Sequence, residues 1–178
     1  DDFELALHDL IKDWVTDHIR IIFNGDGYSD AWVEEAARRG LPNIKNTVDA
    51  TSVLADPEVI KLFEKHGVFS AIELAAREEV GYENYSKAIN IEARTMIDMA
   101  SKQIIPAVIK YTTQLAGSLG AVKAACPEAD TSVQAELLTE TSALLSDMKV
   151  ALAALIDITE EAAGVHGAET QAHVYHEK

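Results

Sequence analysis

The sequence predicts an all-α fold, a long antiparallel helical hairpin with shorter N-terminal helices packed on it. Three observations carry that prediction. Ala, Glu, Leu and Ile are the commonest of the 178 residues, with few aromatics and four prolines, a composition that favours helix. Apolar residues recur at three- and four-residue steps, the period of one helix face. Helix-start signals stand directly before the two longest periodic stretches. No strand alternation competes, since "RIIF" is β-branched but continues the period of the helix before it.

Taken in order, Phe3, Leu7, Leu10, Ile11, Trp14, His18 and Ile22 form one stripe of a first helix of about six turns. "NGDGYS" breaks it, with Gly25 and Gly27 read as left-handed backbone at a helix-to-helix corner. Ser29 or Asp30 caps a second helix over "AWVEEAARR", which Gly40 ends. "LPNIKNTVDATSVLA" has no sustained period and reads as loop. Asp56 before Pro57 starts a short helix that Gly67 terminates.

Ser70 and Glu73 make a capping box for the first long helix, which nothing breaks firmly before Gly117 and Gly120, roughly 47 residues or about 70 Å. Gly81 weakens it, and Pro106 removes a backbone donor, predicting a kink about a turn earlier. "TSVQ" (Thr131, Gln134) reads as a capping box for the second long helix. Its stripe is Leu137, Thr141, Leu144, Met148, Ala151, Leu155, Ile158 and Ala162. The facing stripe is Ile89, Ala93, Met96, Ala100, Ile104, Ala107, Tyr111 and Leu115, and a connection of about a dozen residues around "ACPEAD" makes the pair antiparallel. Ile91, Ile97, Ile105 and Ile109 lie off that stripe and predict burial on more than one side. The division expected is residues 1–69, short helices and loop, and 70–178, the hairpin plus the start of a final helix.

Asp and Glu outnumber Lys and Arg by 30 to 15, a net charge of −15. A nucleic-acid partner needs a basic face, and none is visible. The longest strongly apolar run, "IIPAVI", is too short to span a membrane. The single cysteine, Cys126, excludes an intrachain disulfide and fits a reducing, cytoplasmic setting. The chain starts inside amphipathic periodicity and ends in "AHVYHEK" without a helix stop, which predicts a piece of a longer protein.

Each candidate site meets a plainer alternative. Asn24, Asp26, Asp30 and Glu35 can be laid on a calcium loop, but Ser29 stands where Gly is needed and Tyr28 where an oxygen ligand belongs. A phosphate loop lacks Gly-Lys-Ser/Thr and a preceding strand. His173 and His176, with Glu169 and Glu177 near, are the weak metal candidates. Two imidazoles do not make a site, His166 would join only through a bend at Gly167, and a solvated helix face is the favoured reading. A di-iron bundle needs Glu-x-x-His on two helices, and the sequence has none. Cys126 before Pro127 has no histidine nearby in sequence to activate it. Glu92 and Asp98, in the most apolar part of the long helix, predict buried ion pairs with Arg94, Arg77 or Lys102. No catalytic constellation emerges, so no catalytic and no cofactor-binding residue is assigned.

Three long strings carry a resemblance: "HIRIIFNGDGYSDAWVEEAARRGLPNIKNTVDA", "LFEKHGVFS" and "YENYSKAINIEARTMIDMASKQIIPAVIKY". They resemble the C-terminal region of type III glutamine synthetases, from about Asp2 to Lys178 and most densely over Arg20 to Asp49 and Asn90 to Tyr111. The resemblance implies a parent enzyme that joins glutamate and ammonia, using ATP and Mg or Mn. It also implies an upstream catalytic domain that holds the metal-ligating glutamates, nucleotide site and substrate-binding arginines, and large ring-shaped homo-oligomers. The chain itself is then an inactive structural or assembly region, with "NGDGYS" joining the helix that leaves the catalytic domain to the helical extension. The alternative is a stand-alone helical interaction or sensor module that binds a partner helix along Ile89 to Leu115.

Overall fold

A computed structural model describes residues 2–178. Among them the elements are helices and turns only, in two compact units, residues 1–46 and 47–178. No helix of the described residues is long and apolar enough to cross a membrane.

The first unit holds α1 (Asp2–Asp17), a 3-10 turn (Ile19–Ile21) and α2 (Asp30–Arg39). α1 stops at Asp17 rather than running on to Ile22, because the chain tightens into the 3-10 turn after His18. Gly40 takes the left-handed conformation (φ 70°), while the Gly40 and Leu41 amides donate to the carbonyls of Ala37 and Ala36. That double bond satisfies the last turn of α2, as the glycine predicts.

The second unit begins with α3 (Thr47–Ser52) and a 3-10 turn (Val53–Ala55), where the sequence predicts loop. α3 is too short to show a period; its helical state is secured by Val48, which is fully buried against α5. α3 and α4 (Pro57–Lys65), expected to group with the opening helices, belong to this unit. Asp56 caps α4, its Oδ1 accepting from Glu58 N at 2.8 Å and Val59 N at 3.4 Å, and Gly67 (φ 64°) ends it.

The long helix runs from Ala71 to Ala125, 55 residues, as α5 (Ala71–Met99), a π-turn (Ala100–Ile104) and α6 (Ile105–Ala125). Its capping box forms as expected: Ser70 N donates to Glu73 Oε2 at 2.8 Å and Glu73 N to Ser70 Oγ at 3.4 Å. Gly117 and Gly120 do not stop it, because an isolated glycine costs a packed helix only about 1 kcal/mol. Before Pro106, where the sequence predicts a kink, the helix makes a π-turn in which Ile105 N donates to Ala100 O. Pro106 offers no amide hydrogen to the turn below, and the wider turn absorbs the mismatch.

α7 (Ser132–Ala163) returns along α6 and then α5, after a connection of only six residues, 126–131, and α8 (Ala168–Glu177) packs on α5. The "TSVQ" box does not form; instead Asp130 Oδ1 accepts from Ser132 N at 2.9 Å. An acceptor two residues before that amide closes a tighter ring than Thr131 can.

The π-turn also moves the seam. Tyr82, Ser86, Ile89, Ala93, Ile97 and Ala100 turn inward on α5; on α6 the inward set is Ile105, Val108, Thr112, Leu115, Leu119 and Val122. From Ala100 to Ile105 the step is five residues, the extra one being the π insertion. Met96, Ile104, Ala107 and Tyr111, placed on the seam by the sequence, are therefore exposed, and Ile97 and Ile105 replace them. On α7, Thr141, Met148, Leu155 and Ala162 are inward as expected, but their companions are Leu138, Leu145, Leu152 and Thr159. Leu137, Leu144 and Ala151 face solvent and Ile158 is only partly covered. Ile91 and Ile109 are exposed, so the long helix is not buried all round.

Candidate functional site

The corner between α1 and α2 is closed by the chain's own side chains. Asp26 Oδ1 accepts from Tyr28 N at 2.9 Å, and the Ser29 hydroxyl donates to Asp26 O at 2.7 Å, so Ser29 stands at the cap position without capping. Phe23 stacks on Trp32 at 4.7 Å between centroids. Positive φ among the described glycines is confined to Gly40, Gly67 and Gly167, so Gly25 and Gly27 are not left-handed as expected. A Cβ at Gly25 would lie 2.7 Å from Cζ of Phe23, so a larger residue there shifts the ring that stacks on Trp32.

Glu35, the last oxygen of the calcium template, is taken by two arginines. Arg38 Nε donates to Oε2 at 2.7 Å and Arg39 Nε to Oε1 at 2.5 Å, and the Arg38 hydrogen bonds, then those of Arg39, hold the carboxyl down at about 2. Arg39 Nη1 also donates to the carbonyls of Arg20, at 2.9 Å, and Ile22, fastening α2 to the segment that leaves α1. With Asp26 in a turn and Glu35 in this clamp, the four template oxygens do not converge on a cation. Sequence reading missed the clamp, although Glu35 with arginines three and four residues on is its local signal.

In the second unit, Val48, Tyr82 and Ala172 form a small core joining α3, α5 and α8, with Tyr85 and Ala168 against it. A cleft of about 300 Å³ opens beside it, lined by Glu78, Glu79, Tyr82, Glu169 and Thr170. Burial first, then the Glu169 carboxylate, push the Glu78 carboxyl up. Burial and the same carboxylates raise the Tyr82 phenol, opposed by the nearby Ser52 hydroxyl. Like charges here repel across partly covered space.

His173 and His176 make separate contacts. His173 Nδ1 lies 4.0 Å from Glu177 Oε1, while His176 meets the Tyr85 ring edge-on at 6.5 Å. Among the described residues no three His, Cys, Asp or Glu side chains are placed to hold a metal ion. The buried ion pairs expected in the long helix are not found there: Asp98 pairs with Lys102 in solvent, Arg94 Nε donates to Asn90 Oδ1 at 3.1 Å, and Glu92 is exposed. Arg77 lies over the Phe69 ring, 4.2 Å from its centroid. Glu92 and Asp98 sit outward because the seam passes on the Ala93 and Ile97 side. Cys126 is exposed just past α6.

Two recesses flank the α5–α7 seam. One, about 290 Å³, has a charged rim of Arg94, Asp98, Lys102 and Glu160; the other, about 260 Å³, is apolar, with Ile89, Ala93, Met96, Leu155 and Ile158. Both are open grooves between packed helices, suited to contact rather than to chemistry.

Comparison with known proteins supplies the lineage. The family model for the glutamine synthetase C-terminal domain matches residues 6–123. A glutamine synthetase of Butyrivibrio fibrisolvens is 34% identical over 175 residues, 98% of this chain and 25% of that protein. A type-3 glutamine synthetase of Dictyostelium discoideum is 37% identical over 119 residues, covering 67% of the chain and 16% of that protein. A glutamine synthetase of Bacteroides fragilis (strain YCH46) is 34% identical over 149 residues, 82% and 20%. The chain thus spans a quarter or less of the length of these relatives. It belongs to the glutamine synthetase C-terminal domain family and corresponds to the C-terminal region of the type III enzymes.

Proposed function

We propose that residues 1–178 are the structural and assembly region of an ATP-dependent glutamate–ammonia ligase. One observation carries the reading: almost the whole chain aligns with a glutamine synthetase of which it is only a quarter. Among the described residues no three His, Cys, Asp or Glu side chains are placed to hold a metal ion and no glycine-rich loop follows a strand, so no seat for ATP or a divalent metal is assigned here. Both groups, Mg or Mn included, belong on this reading to the preceding part of the polypeptide, and no chemical step is drawn through them here. The parent works in the reducing cytoplasm, where the Cys126 thiol stays free.

The contribution of the chain is a rigid hairpin that presents apolar side chains outward. On antiparallel helices, positions one residue before the seam fall on the same side of the pair, so Ile104, Tyr111, Leu137 and Leu144 share one exposed face. A second copy of the polypeptide is the occupant of that face in the homo-oligomer. The test compares full-length protein with residues 1–178 in a glutamine-formation assay. Synthesis by the full-length protein alone is expected; turnover by residues 1–178, or none by either, sinks the reading. Sedimentation of a full-length Tyr111→Glu, Leu144→Glu variant should show smaller particles than the parent, and unchanged particles would remove this face from the assembly.

A further inference from the structure

α1 carries its whole apolar stripe in the open. Phe3 is 76% exposed and Trp14 63%, Leu7, Leu10 and Ile11 are exposed with them, and no residue of α1 is buried. At about 100° of turn per residue these five fall within a sector about 100° wide, while Asp2, Asp9 and Asp13 fall on the far side. Among the described residues 2–46 only Ala36 is buried. A unit with that little interior does not offset its own ordering entropy, and a helix of sixteen residues is marginal in water without packing on its apolar face. The stripe therefore needs a surface from outside residues 1–46.

We propose that the apolar face of α1 (Phe3, Leu7, Leu10, Ile11 and Trp14) is the docking surface on which this chain seats against the portion of the same polypeptide preceding Asp1. The inference rests on the C-terminal-region reading above. Three-quarters or more of each relative's length lies outside the match, and the matching family is that of a C-terminal domain, which puts the missing portion before α1. Charge argues against two other occupants. Glu4 and Asp17 border the stripe on its two sides, and the helix carries five acids against the single Lys12, so a second α1 laid on the first brings acidic borders together. An anionic membrane surface is repelled by the same rim, and the helix lacks the Lys/Arg border that membrane-surface helices use. A largely neutral apolar cleft or a basic-rimmed groove on the preceding portion is complementary.

The experiment uses the full-length polypeptide with the photoreactive residue p-benzoylphenylalanine placed at Leu10 and, separately, at Asp9 on the opposite face. Light and heavy isotope chains are mixed, irradiated and mapped by mass spectrometry. The proposal expects Leu10 to link to residues preceding Asp1 within the same chain, and Asp9 to give no such link. A Leu10 link between light and heavy chains, a link into residues 1–178, or no link at all overturns it. Hydrogen exchange on the unsubstituted protein guards against a substitution that fails to fold. The α1 amides should exchange about 100-fold more slowly in full-length protein than in residues 1–178, and equal rates overturn the proposal. A glutamine-formation assay on the same preparation separates the two claims. An intrachain Leu10 link without ligase activity leaves the docking surface standing and sinks the ligase reading; activity with a link elsewhere does the reverse.

Discussion

Gly81 of α5 lies against Thr51 of α3 so closely that a Cβ on Gly81 would stand 2.9 Å from Cγ2 of Thr51. Thr51 cannot simply swing aside, because its hydroxyl donates to Thr47 O at 2.7 Å and a β-branched side chain has few rotamers. The glycine that weakens the helix is thus what lets α3 pack on it. Gly81→Ala should lower stability by up to about 2 kcal/mol, with overpacking of about 1–3 kcal/mol set against the ~1 kcal/mol of helix propensity gained. Thr51→Ser removes the offending methyl, so the double variant should recover most of the loss in urea unfolding. A stabilised Gly81→Ala would show that α3 moves freely.

The inward set of α7 is testable one residue at a time. Leu152 is 5% exposed and Leu144 60%. Leu152→Ala should cost about 2–4 kcal/mol and Leu144→Ala under about 0.5 kcal/mol. Equal effects in thermal unfolding would return the seam to the register in which Leu144 and Ala151 face the partner helix.

The π-turn behaves as a one-residue insertion in the heptad pattern. Deleting Gln103 in a Pro106→Ala background turns the five-residue step from Ala100 to Ile105 into four, leaving both halves of the seam aligned. That variant should unfold within about 1 kcal/mol of the parent. Deleting Ala116 instead rotates Leu119 and Val122 off the seam and should cost roughly 1.5–3 kcal/mol for each. Similar losses from both deletions would mean the π-turn is not the source of the register shift.

Two carboxyls should respond to acid with opposite sign. Glu35 sits at about 2, below its ordinary 4.5, so its stabilisation is complete above 4.5 and is lost as pH falls through about 2. Its side-chain carbon resonance should titrate near 2, and a midpoint near 4.5 would dissolve the arginine clamp. Glu78 is raised, so its cost is absent below 4.5 and appears as pH rises through the raised folded value. Glu78→Gln should therefore raise stability at neutral pH, by a few tenths of a kcal/mol after allowance for solvent, and change nothing below 4.5, as read from thermal unfolding. A loss of stability at neutral pH would reverse that sign.

What the sequence by itself determined is local. The helical class, the Ser70–Glu73 box, the Asp56–Pro57 start and the stops at Gly40 and Gly67 each depend on groups within a few residues of one another. The family is legible for a related reason, since long uncommon strings survive in the chain whatever surrounds them. The Glu35–Arg38–Arg39 half of the clamp was within the same reach, but the Arg20 and Ile22 carbonyls that Arg39 grips were not. The tertiary structure decided which side of each helix turns inward. A single π insertion before Pro106 rotates everything after it by about 100°, and composition carries no trace of that rotation. It also decided why Gly81 is glycine, because the Thr51 methyl stands opposite it only once the chain has folded back. Capping and turn formation act within a helix turn, whereas register and close approach are properties of two surfaces, and the second surface is known only from the packing.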